Sequence, residues 1–316
     1  MNTTMKTSLY TREPEYDRNF WDAMRGHPGA IGMAENGRDM ETNTYLLPAS
    51  AAAKLTKAIE GESLFRQIGT SFQAYHSGYH IYTRDCTDLA MFVPEGGEIP
   101  LYEGMQDFST LPVDSWKLAV SVKYAEDFIR DASFDMEQHL IRRFARNFGR
   151  AETNAFINGT GEQEPTGILN DTNGADVALT TTSITYDDMI SLYFSAKPEY
   201  RSRGVWLMND ETAMALRKLK DADGNYLWNN ATETILGKPV MISEFMPSAE
   251  AGSKPVAFGD FSYYWVIDRR PVSTRPLVEK FALYGQIGYL ALEFLDGKLI
   301  RSDAVKVLQM ENGASA

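Results

Sequence analysis

Residues 134–161 read FDMEQHLIRRFARNFGRAETNAFINGTG, and this stretch decides how the chain is organised. Its apolar residues recur at helical spacing, so that they form one stripe along a helix. The stripe consists of Met136, Leu140, Ile141, Phe144, Phe148, Ala151, Ala155 and Phe156. A helix from Phe134 to Asn158 would be about 37 Å long at a rise of about 1.5 Å per residue, well above the mean for globular proteins. The stretch therefore predicts a spine helix on which other elements pack.

Both ends of the predicted spine carry capping signals. Asp135 and Glu137 lie in the first turn, where the helix dipole favours acidic side chains, and Ser133 is the predicted N-cap. Gly159 follows the last helical residue and is the predicted C-cap. The ends of the helix are thus predicted independently of its apolar stripe.

Two alternating stretches upstream of the spine predict strands. In residues 78–84 (GYHIYTR) and 116–123 (WKLAVSVK) apolar and polar side chains alternate. The connection over 87–115, with PEGGE at 94–98, is much longer than a hairpin loop of about 2–5 residues. We expect a two-stranded ribbon that leaves the body of the protein. Because an isolated ribbon is only marginally stable in water, it should rest on a neighbouring molecule.

Residues 1–45 predict an N-terminal arm, because residues 26–37 (GHPGAIGMAENG) show neither a helical nor a strand period. A short helix is expected inside the arm, from Pro14 to about Gly26. Its large apolar side chains are Tyr16, Phe20, Trp21 and Met24. They have nothing within the arm to pack on, so the helix docks either on another subunit or on the body of its own chain.

Helices and strands alternate irregularly in the rest of the chain. A helix is expected over 48–60 with Ser50 as N-cap, and another over 210–219 with Asp210 as N-cap. Further expected elements are a helix over 186–195, strands over 205–208, 240–243, 256–259, 263–269 and 304–310, a turn at Asp223-Gly224, and an apolar, glycine-interrupted region over 283–294. Because no βαβ run occurs, the pattern predicts an α+β fold and not a doubly wound sheet.

The composition is that of a globular chain with an acidic surface. The 316 residues are 43% hydrophobic and 23% charged, and the formal net charge is −12. A protein that coats nucleic acid ordinarily carries a basic face. Here Arg142, Arg143 and Arg146 stand on the spine between Glu137 and Glu152, and we interpret them as a solvated helix face. Contact with DNA is therefore expected to be weak.

The compartment is also indicated by the sequence. The single cysteine, Cys86, is typical of a protein made in a reducing cytoplasm. The start, Met1 to Tyr10, is polar and lacks the apolar segment of a signal peptide. No stretch approaches the roughly 18 uninterrupted apolar residues of a membrane span. We expect a soluble chain, synthesised in the cytoplasm, with no membrane partner.

No residue pattern predicts a catalytic, metal or cofactor site. His76 and His80 have the spacing of a zinc pair on a helix but fall in a predicted strand. Residues 220–225 (KDADGN) begin like a calcium loop, yet Thr232 stands where the twelfth position requires a glutamate. Residues 158–161 (NGTG) lack the lysine and the strand–loop–helix order of a phosphate loop. We therefore expect no enzyme; a soluble α+β hydrolase with a site that these patterns do not reveal is the alternative from another class.

Several short runs occur in a characteristic order. RAETNAFINGTG at 150–161 leads into PTGIL at 165–169. The later runs are VWLMN at 205–209, LRKLKD at 216–221, GNYLW at 224–228, LGKPV at 236–240 and FGDF at 258–261. Together with the arm, the ribbon and the spine, this order resembles the Hong Kong 97 fold of tailed-bacteriophage major capsid proteins, which encapsulin shells share. The resemblance covers about residues 46–310.

The resemblance implies a division of the chain. It places the N-terminal arm at 1–45, the first part of a peripheral domain at 46–77, an extended loop at 78–115, the peripheral domain with the spine at 116–160, an axial domain at 161–262, and closing strands of the peripheral domain at 263–316. It also implies that hexamers and pentamers of the chain tile an icosahedral virion shell around double-stranded DNA after assembly in the host cytoplasm. A portal, a scaffolding protein or a maturation protease would be further partners.

We expect the arm helix and the loop to carry contacts between subunits. The candidate contact residues are Tyr16, Phe20, Trp21, Met24, Pro94, Glu95, Gly96, Gly97, Glu98, Tyr102 and Glu103. The acidic loop residues have no lysine within their segment to pair with. They therefore meet Lys or Arg of a neighbour, or are solvated.

Some relatives weld their subunits with a Lys–Asn isopeptide bond assisted by a glutamate. The resemblance puts Ile99-Pro100, Tyr284 and Ala291 at those three places, so we expect a shell held by non-covalent contacts. An encapsulin-like compartment with a protein cargo is the alternative, and the N-terminal arm favours the phage head. The sequence leaves open whether a scaffolding segment has been removed or scaffolding is a separate protein.

Overall fold

The computed structural model describes residues 11–27, 37–39, 41–74, 80–84, 92–96, 98, 101, 108–131, 133–220, 224, 226, 228–229 and 233–312. In this part of the chain the helices are α1 (Pro14–Met24), α2 (Ala49–Glu62), α3 (Leu64–Ile68), α4 (Glu126–Arg130), α5 (Met136–Asn158), α6 (Tyr186–Ser195), α7 (Pro198–Arg201), α8 (Asp210–Arg217) and α9 (Val278–Phe281). The strands are β1 (Arg38–Asp39), β2 (Thr44–Leu46), β3 (Thr70–Gln73), β4 (His80–Arg84), β5 (Phe108–Pro112), β6 (Trp116–Ala125), β7 (Asp176–Thr181), β8 (Val205–Met208), β9 (Trp228–Asn229), β10 (Thr234–Ile235), β11 (Lys238–Ile242), β12 (Val256–Gly259), β13 (Tyr264–Leu277), β14 (Gln286–Leu299) and β15 (Val305–Met310). Short 3-10 turns occupy Phe261–Tyr263, Ala282–Tyr284 and Ser302–Ala304. The α+β class predicted from the sequence is confirmed.

The first sheet is built around two long antiparallel strands. β13 and β14 pair from Tyr264 opposite Leu299 to Leu277 opposite Gly288. The order is β1-β2-β13-β14-β6, and β3 pairs in parallel with β13. Along β6 residues alternate between half-buried and exposed, as its sequence predicts. One face of this sheet is therefore apolar and must be covered by helices.

Both central strands are longer than predicted. The prediction ended one strand at residue 269 and treated 283–294 only as an apolar region, whereas the strands reach Leu277 and Leu299. The register of the pair shifts between Asp268 and Arg270 and again between Arg270 and Ser273. Such irregularities interrupt the alternation of side chains between the two faces of a strand. The length of each strand is therefore set by its pairing with the other and not by its own sequence pattern.

The spine, α5, covers this sheet together with α2. Its apolar stripe is buried at Met136, Leu140, Ile141, Phe144, Phe148 and Phe156, while Ala151 and Ala155 are half-buried. Gly149 lets the end of α2 come close, because a Cβ at this position would stand 2.6 Å from the Cβ of Glu62. The predicted spine is confirmed: its stripe packs in the core of the first sheet from Met136 to Phe148, and Phe156 packs in a second core shared by both sheets.

The ends of the spine differ from the prediction in one respect. The helix begins at Met136, and Asp135, not Ser133, is its N-cap: the Asp135 carboxylate accepts from the Gln138 N–H at 3.0 Å. Gly159 is the C-cap as predicted, in an extended conformation with φ −60°. It must be glycine because a Cβ would stand 2.2 Å from the carbonyl oxygen of Pro165.

Two further predicted N-caps are wrong, because each helix begins at or before the residue that was predicted as its cap. Asn209, not Asp210, caps α8 and accepts from the Thr212 N–H at 2.7 Å. Pro48 precedes α2, so Ser50 lies inside that helix. Only the residue directly before the first helical residue can reach the free N–H groups with its side chain, and the sequence places helix starts only to within one or two residues.

The second sheet has the order β7-β15-β12-β8-β11-β10-β9. β8 lies at its centre, antiparallel to β12 and parallel to β11. Trp206 and Phe258 pack with ring centroids 4.3 Å apart, and the Trp206 indole donates to the Ile235 carbonyl at 3.0 Å. At the far end Gly224 has a φ of +85° beside a bridge between Lys220 and Tyr226, which fits the predicted turn; Asp223 lies outside the described residues.

The closing strand joins the second sheet. β15 is antiparallel to β12 and parallel to β7. The predicted last segment, residues 263–316, is therefore divided, with β13 and β14 in the first sheet and β15 in the second. The reason is long-range pairing, which the local pattern of residues 304–310 does not contain.

Candidate assembly surfaces

The arm helix α1 packs on the body of its own chain. Tyr16, Phe20 and Met24 are buried in the same core as the spine, and Trp21 is half-buried at its edge. The rings of Phe20 and Trp21 meet edge to face at 5.0 Å. Of the two alternatives for this helix, the single chain adopts docking on its own body. The three buried side chains are thus not on the surface of the subunit, whereas one edge of Trp21 is.

Hydrogen bonds hold α1 in this position. The Tyr16 hydroxyl donates to the Leu46 carbonyl at 2.6 Å, and the Tyr289 hydroxyl donates to the Met24 carbonyl at 2.8 Å. Arg25 donates to the Ile129 carbonyl at 2.8 Å. Burial raises the pKa of both tyrosines, so both remain neutral donors. The helix is therefore tied to the first sheet and to the segment before the spine.

The base of the extended loop is a firm antiparallel ribbon. β4 and β5 pair from His80 opposite Pro112 to Arg84 opposite Phe108. Ile81 is buried in a small core. Lys298 Nζ donates to the Pro112 carbonyl at 2.6 Å. This confirms the base of the predicted ribbon and fixes the direction in which the loop leaves the body.

Beyond this base the loop exposes apolar side chains. Phe92 is fully exposed, Leu101 is 96% exposed and Val93 is more than one third exposed. Of the candidate contact residues, Pro94, Glu95, Gly96 and Glu98 are exposed. Gly97, Tyr102 and Glu103 lie outside the described residues. Large apolar groups held in water by an anchored ribbon are typical of a surface that another molecule covers.

Exposed apolar residues also occur at other ends of the molecule. Leu283 and Tyr284, in the turn between β13 and β14, are 98% and 74% exposed. Near the second sheet, Met214 on α8 and Tyr226 are about half exposed. The sequence analysis missed these residues, although the adjacent Gly285, which takes a φ of +60°, signals a turn that projects its neighbours. A subunit with apolar groups at several separated ends can contact several neighbours at once.

A buried charge network joins α3 and the spine to the two central strands of the first sheet. Arg66 on α3 pairs with Glu152 on the spine at 2.6 Å, with Asp268 on β13 at 2.8 Å and with Glu293 on β14 at 3.2 Å. The side chains of Arg66, Glu152 and Glu293 are at most 4% exposed. Burial, then the neighbouring Glu152 carboxylate, raise the pKa of Glu293 well above its ordinary value. Glu152, which flanks the exposed arginines of the spine in the sequence, is itself buried.

The described residues contain no group of three or more His, Cys, Asp and Glu side chains arranged to hold a metal ion. His80 is exposed on β4, and His76 and Cys86 lie outside the described residues. A cavity of about 270 Å³ lies beside the charge network, between α2 and β13. Across the part of the chain that is described, no helix is long and apolar enough to cross a membrane.

The positions that the resemblance assigns to the isopeptide bond and to its assisting glutamate lie in very different surroundings. Ala291 is fully buried in β14, opposite Val120 and Thr274. Tyr284 is exposed in the turn before that strand. Ile99 and Pro100 lie outside the described residues.

Comparison with known proteins adds two findings on sequence. A family model described as "Phage capsid family" matches residues 43–310. A search of curated proteins finds no match.

Solved structures are similar over most of the chain. The capsid of an empty GTA particle computed with C5 symmetry has a TM-score of 0.67 and 26% identity, and the match covers 79% of this chain and 90% of that one. The capsid of a native GTA particle has a TM-score of 0.65 and 27% identity, with the same coverage. A structure from Microbacterium phage Oxtober96 has a TM-score of 0.58 at 19% identity, covering 79% and 91%.

Proposed function

The chain belongs to the phage capsid family, whose model matches residues 43–310, and from this premise we propose how it builds a head. The family is structural, and the chain is a major capsid protein, a component of the virion. Its copies form hexamers and pentamers of an icosahedral shell that encloses double-stranded DNA. The observation that carries this proposal is the anchored loop with Phe92 and Leu101 in water, because such a loop is stable only where a neighbouring copy covers it.

The two domains of the subunit correspond to its two sheets. The peripheral domain comprises 46–77, 116–160 and the strands β13 and β14, and the axial domain comprises 161–262 together with β15. The loop at 78–115 reaches neighbouring copies, and the arm at 1–45, whose helix α1 packs on its own chain, contributes the exposed edge of Trp21. Each contact is modest, but arm, loop and both sheet ends act together, so each raises the effective concentration of the others. The acidic residues Glu95 and Glu98 meet Lys or Arg of a neighbour.

The shell is held by non-covalent contacts, and the chain has no catalytic activity of its own. Support comes from Ala291, which is buried where the family's glutamate would stand, and from Tyr284 in place of the asparagine. Assembly takes place in the host cytoplasm with a portal and with either a scaffolding protein or a maturation protease. These partners are carried over from the family.

Electron microscopy of particles from the purified protein, combined with nuclease treatment, tests the proposal. We expect icosahedral shells, nuclease-protected double-stranded DNA in particles from infected cells, and a single monomer band on a denaturing gel. Shells that contain a protein cargo and no DNA would instead indicate an encapsulin-like compartment. A ladder of covalent multimers would refute non-covalent assembly, and a monomer that forms no particles would refute the shell.

A further inference from the structure

The exposed side of the spine carries a row of arginines. Arg142, Arg146 and Arg150 follow one another at intervals of four residues, Arg143 adjoins the first, and all four are exposed. Residues four apart lie on the same side of a helix and are separated by about 6 Å along its axis. We call these four residues the arginine row.

Three of the four residues of the row lack the carboxylates that usually accompany surface arginines. Arg150 pairs with Glu244 at 3.0 Å, but Arg142, Arg143 and Arg146 have no ion pair with any described residue. The positions three and four residues away on the helix hold no acid for any of these three residues. Like charges at this spacing oppose helix formation by about 0.2–0.5 kcal/mol per pair. In a chain with net charge −12, such a row indicates an anionic partner outside the subunit.

The row lies on one definite side of the peripheral domain. The spine packs against the apolar residues Leu118, Val120 and Val122 of β6. Lys117 and Lys123 of the same strand are exposed on the opposite face of the sheet. Lys123 lies over the Phe281 ring at 5.7 Å. Among the described residues, the arginine row lies on the spine side of β6, and Lys117 and Lys123 lie on the opposite side.

We propose that the arginine row is the part of the shell's inner surface that contacts the phosphates of the packaged DNA, an inference that rests on the proposed function. Guanidinium groups bind phosphate oxygens in a bidentate manner and do so without reading sequence. That is the contact a shell needs when its DNA must be held at any sequence. The rest of the chain is acidic, so the attraction to DNA is limited to this row and the binding is weak.

A footprint on arginine tests the inference in particles as they exist. DNA-filled particles and empty shells are treated with phenylglyoxal, which modifies accessible guanidinium groups, and the modified residues are identified by mass spectrometry. We expect Arg142 and Arg146 to be modified several-fold less in filled particles than in empty shells. Arg217, an exposed arginine on α8 that pairs with Glu233, serves as the control and should react equally in both.

Each other outcome overturns the inference. Equal modification of the row in both kinds of particle shows that DNA does not touch it. Low modification in both shows that a neighbouring copy covers it, and protection of Arg217 to the same degree shows that the arginine row is not a preferred contact of the DNA. Nuclease-protected DNA is measured separately. A shell without DNA refutes the proposed function as well, whereas filled particles with unprotected arginines refute the present inference alone.

A pair of matched variants provides a second readout on dissociated subunits. Binding of a short DNA duplex is measured as a function of salt for Arg142→Gln/Arg146→Gln and for Lys117→Gln/Lys123→Gln. Each lost phosphate contact should lower the slope of log K against log salt by about 0.9, so the arginine variant should lose about 1.8. The lysine variant should keep the wild-type slope. Equal losses in both variants, or binding that does not depend on salt, would count against the row.

Discussion

Replacing Arg66 with methionine tests the network that ties α3, the spine, β13 and β14 together. The Arg66 guanidinium donates to both carboxylate oxygens of Glu152, at 2.6 to 3.1 Å. It also donates to both oxygens of Asp268, at 2.8 and 3.2 Å, and to Glu293 Oε1 at 3.2 Å. Methionine fills much of the same space but leaves the three carboxyl groups without this cation.

The size of the effect can be bracketed in two ways. Removing one partner of a buried ion pair costs about 3–5 kcal/mol, because the other charge stays buried and unpaired. Alternatively, one of the carboxylates left without Arg66 takes up a proton in the folded protein. At pH 7, protonating a glutamate with the ordinary pKa of about 4.3 costs about 3.7 kcal/mol. We therefore expect Arg66→Met to lose about 3–4 kcal/mol of unfolding free energy at pH 7. At pH 5 the loss should shrink to about 1 kcal/mol, since protonation then costs less.

The assay is urea unfolding of the unassembled subunit at both pH values, followed by circular dichroism, with the slope and the midpoint fitted together. Arg130→Met is the control, because Arg130 forms an exposed ion pair with Glu126 one helical turn away. Its loss should stay below about 0.5 kcal/mol. The reasoning is refuted if Arg66→Met loses no more than the control at pH 7, or if its loss is the same at both pH values.

Three further predictions follow from the same structure. Because burial and Glu152 raise the pKa of Glu293 well above its ordinary value, the folded state holds this proton more tightly than the unfolded state. The stability that this proton contributes is present below the ordinary pKa of a glutamic acid and is lost as the pH rises through the folded-state pKa. The urea midpoint of Glu293→Gln should therefore rise relative to that of the wild type between pH 5 and pH 9. A difference between the two midpoints that stays constant with pH would contradict this. Phe20→Ala should destabilise the unassembled subunit by about 3–5 kcal/mol, since Phe20 is 1% exposed in the core of its own chain; an unchanged midpoint would show that α1 packs only within the shell. Leu101→Ser and Glu98→Lys should each reduce the yield of particles counted by electron microscopy and leave the urea midpoint unchanged, whereas a full yield of particles would show that the loop is not a contact.

The sequence predicted those elements whose pattern is local. The stripe of the spine repeats at helical spacing, and the helix Tyr186–Ser195 and the strands Val205–Met208 and Val256–Gly259 have the predicted bounds. The family resemblance, which rests on the order of several short runs along the chain, is confirmed over residues 43–310. The wrong N-caps at Ser133, Ser50 and Asp210 mark the limit of this reasoning, because a cap depends on the first helical residue and not on a repeated pattern.

What only the tertiary structure decided depends on residues far apart in the chain. Glu152 looks like a solvated charge in its own segment, and it is buried because Arg66 reaches it from 86 positions away. β15 belongs to the second sheet because it pairs with β12 and β7. The arm helix, which the sequence could place on a neighbour or on its own body, takes its own body because Tyr289 and the Leu46 carbonyl bind it there. Local periodicity encodes which elements form, since it acts through neighbouring side chains; which elements meet is decided by pairing and burial between segments, and no local pattern contains that.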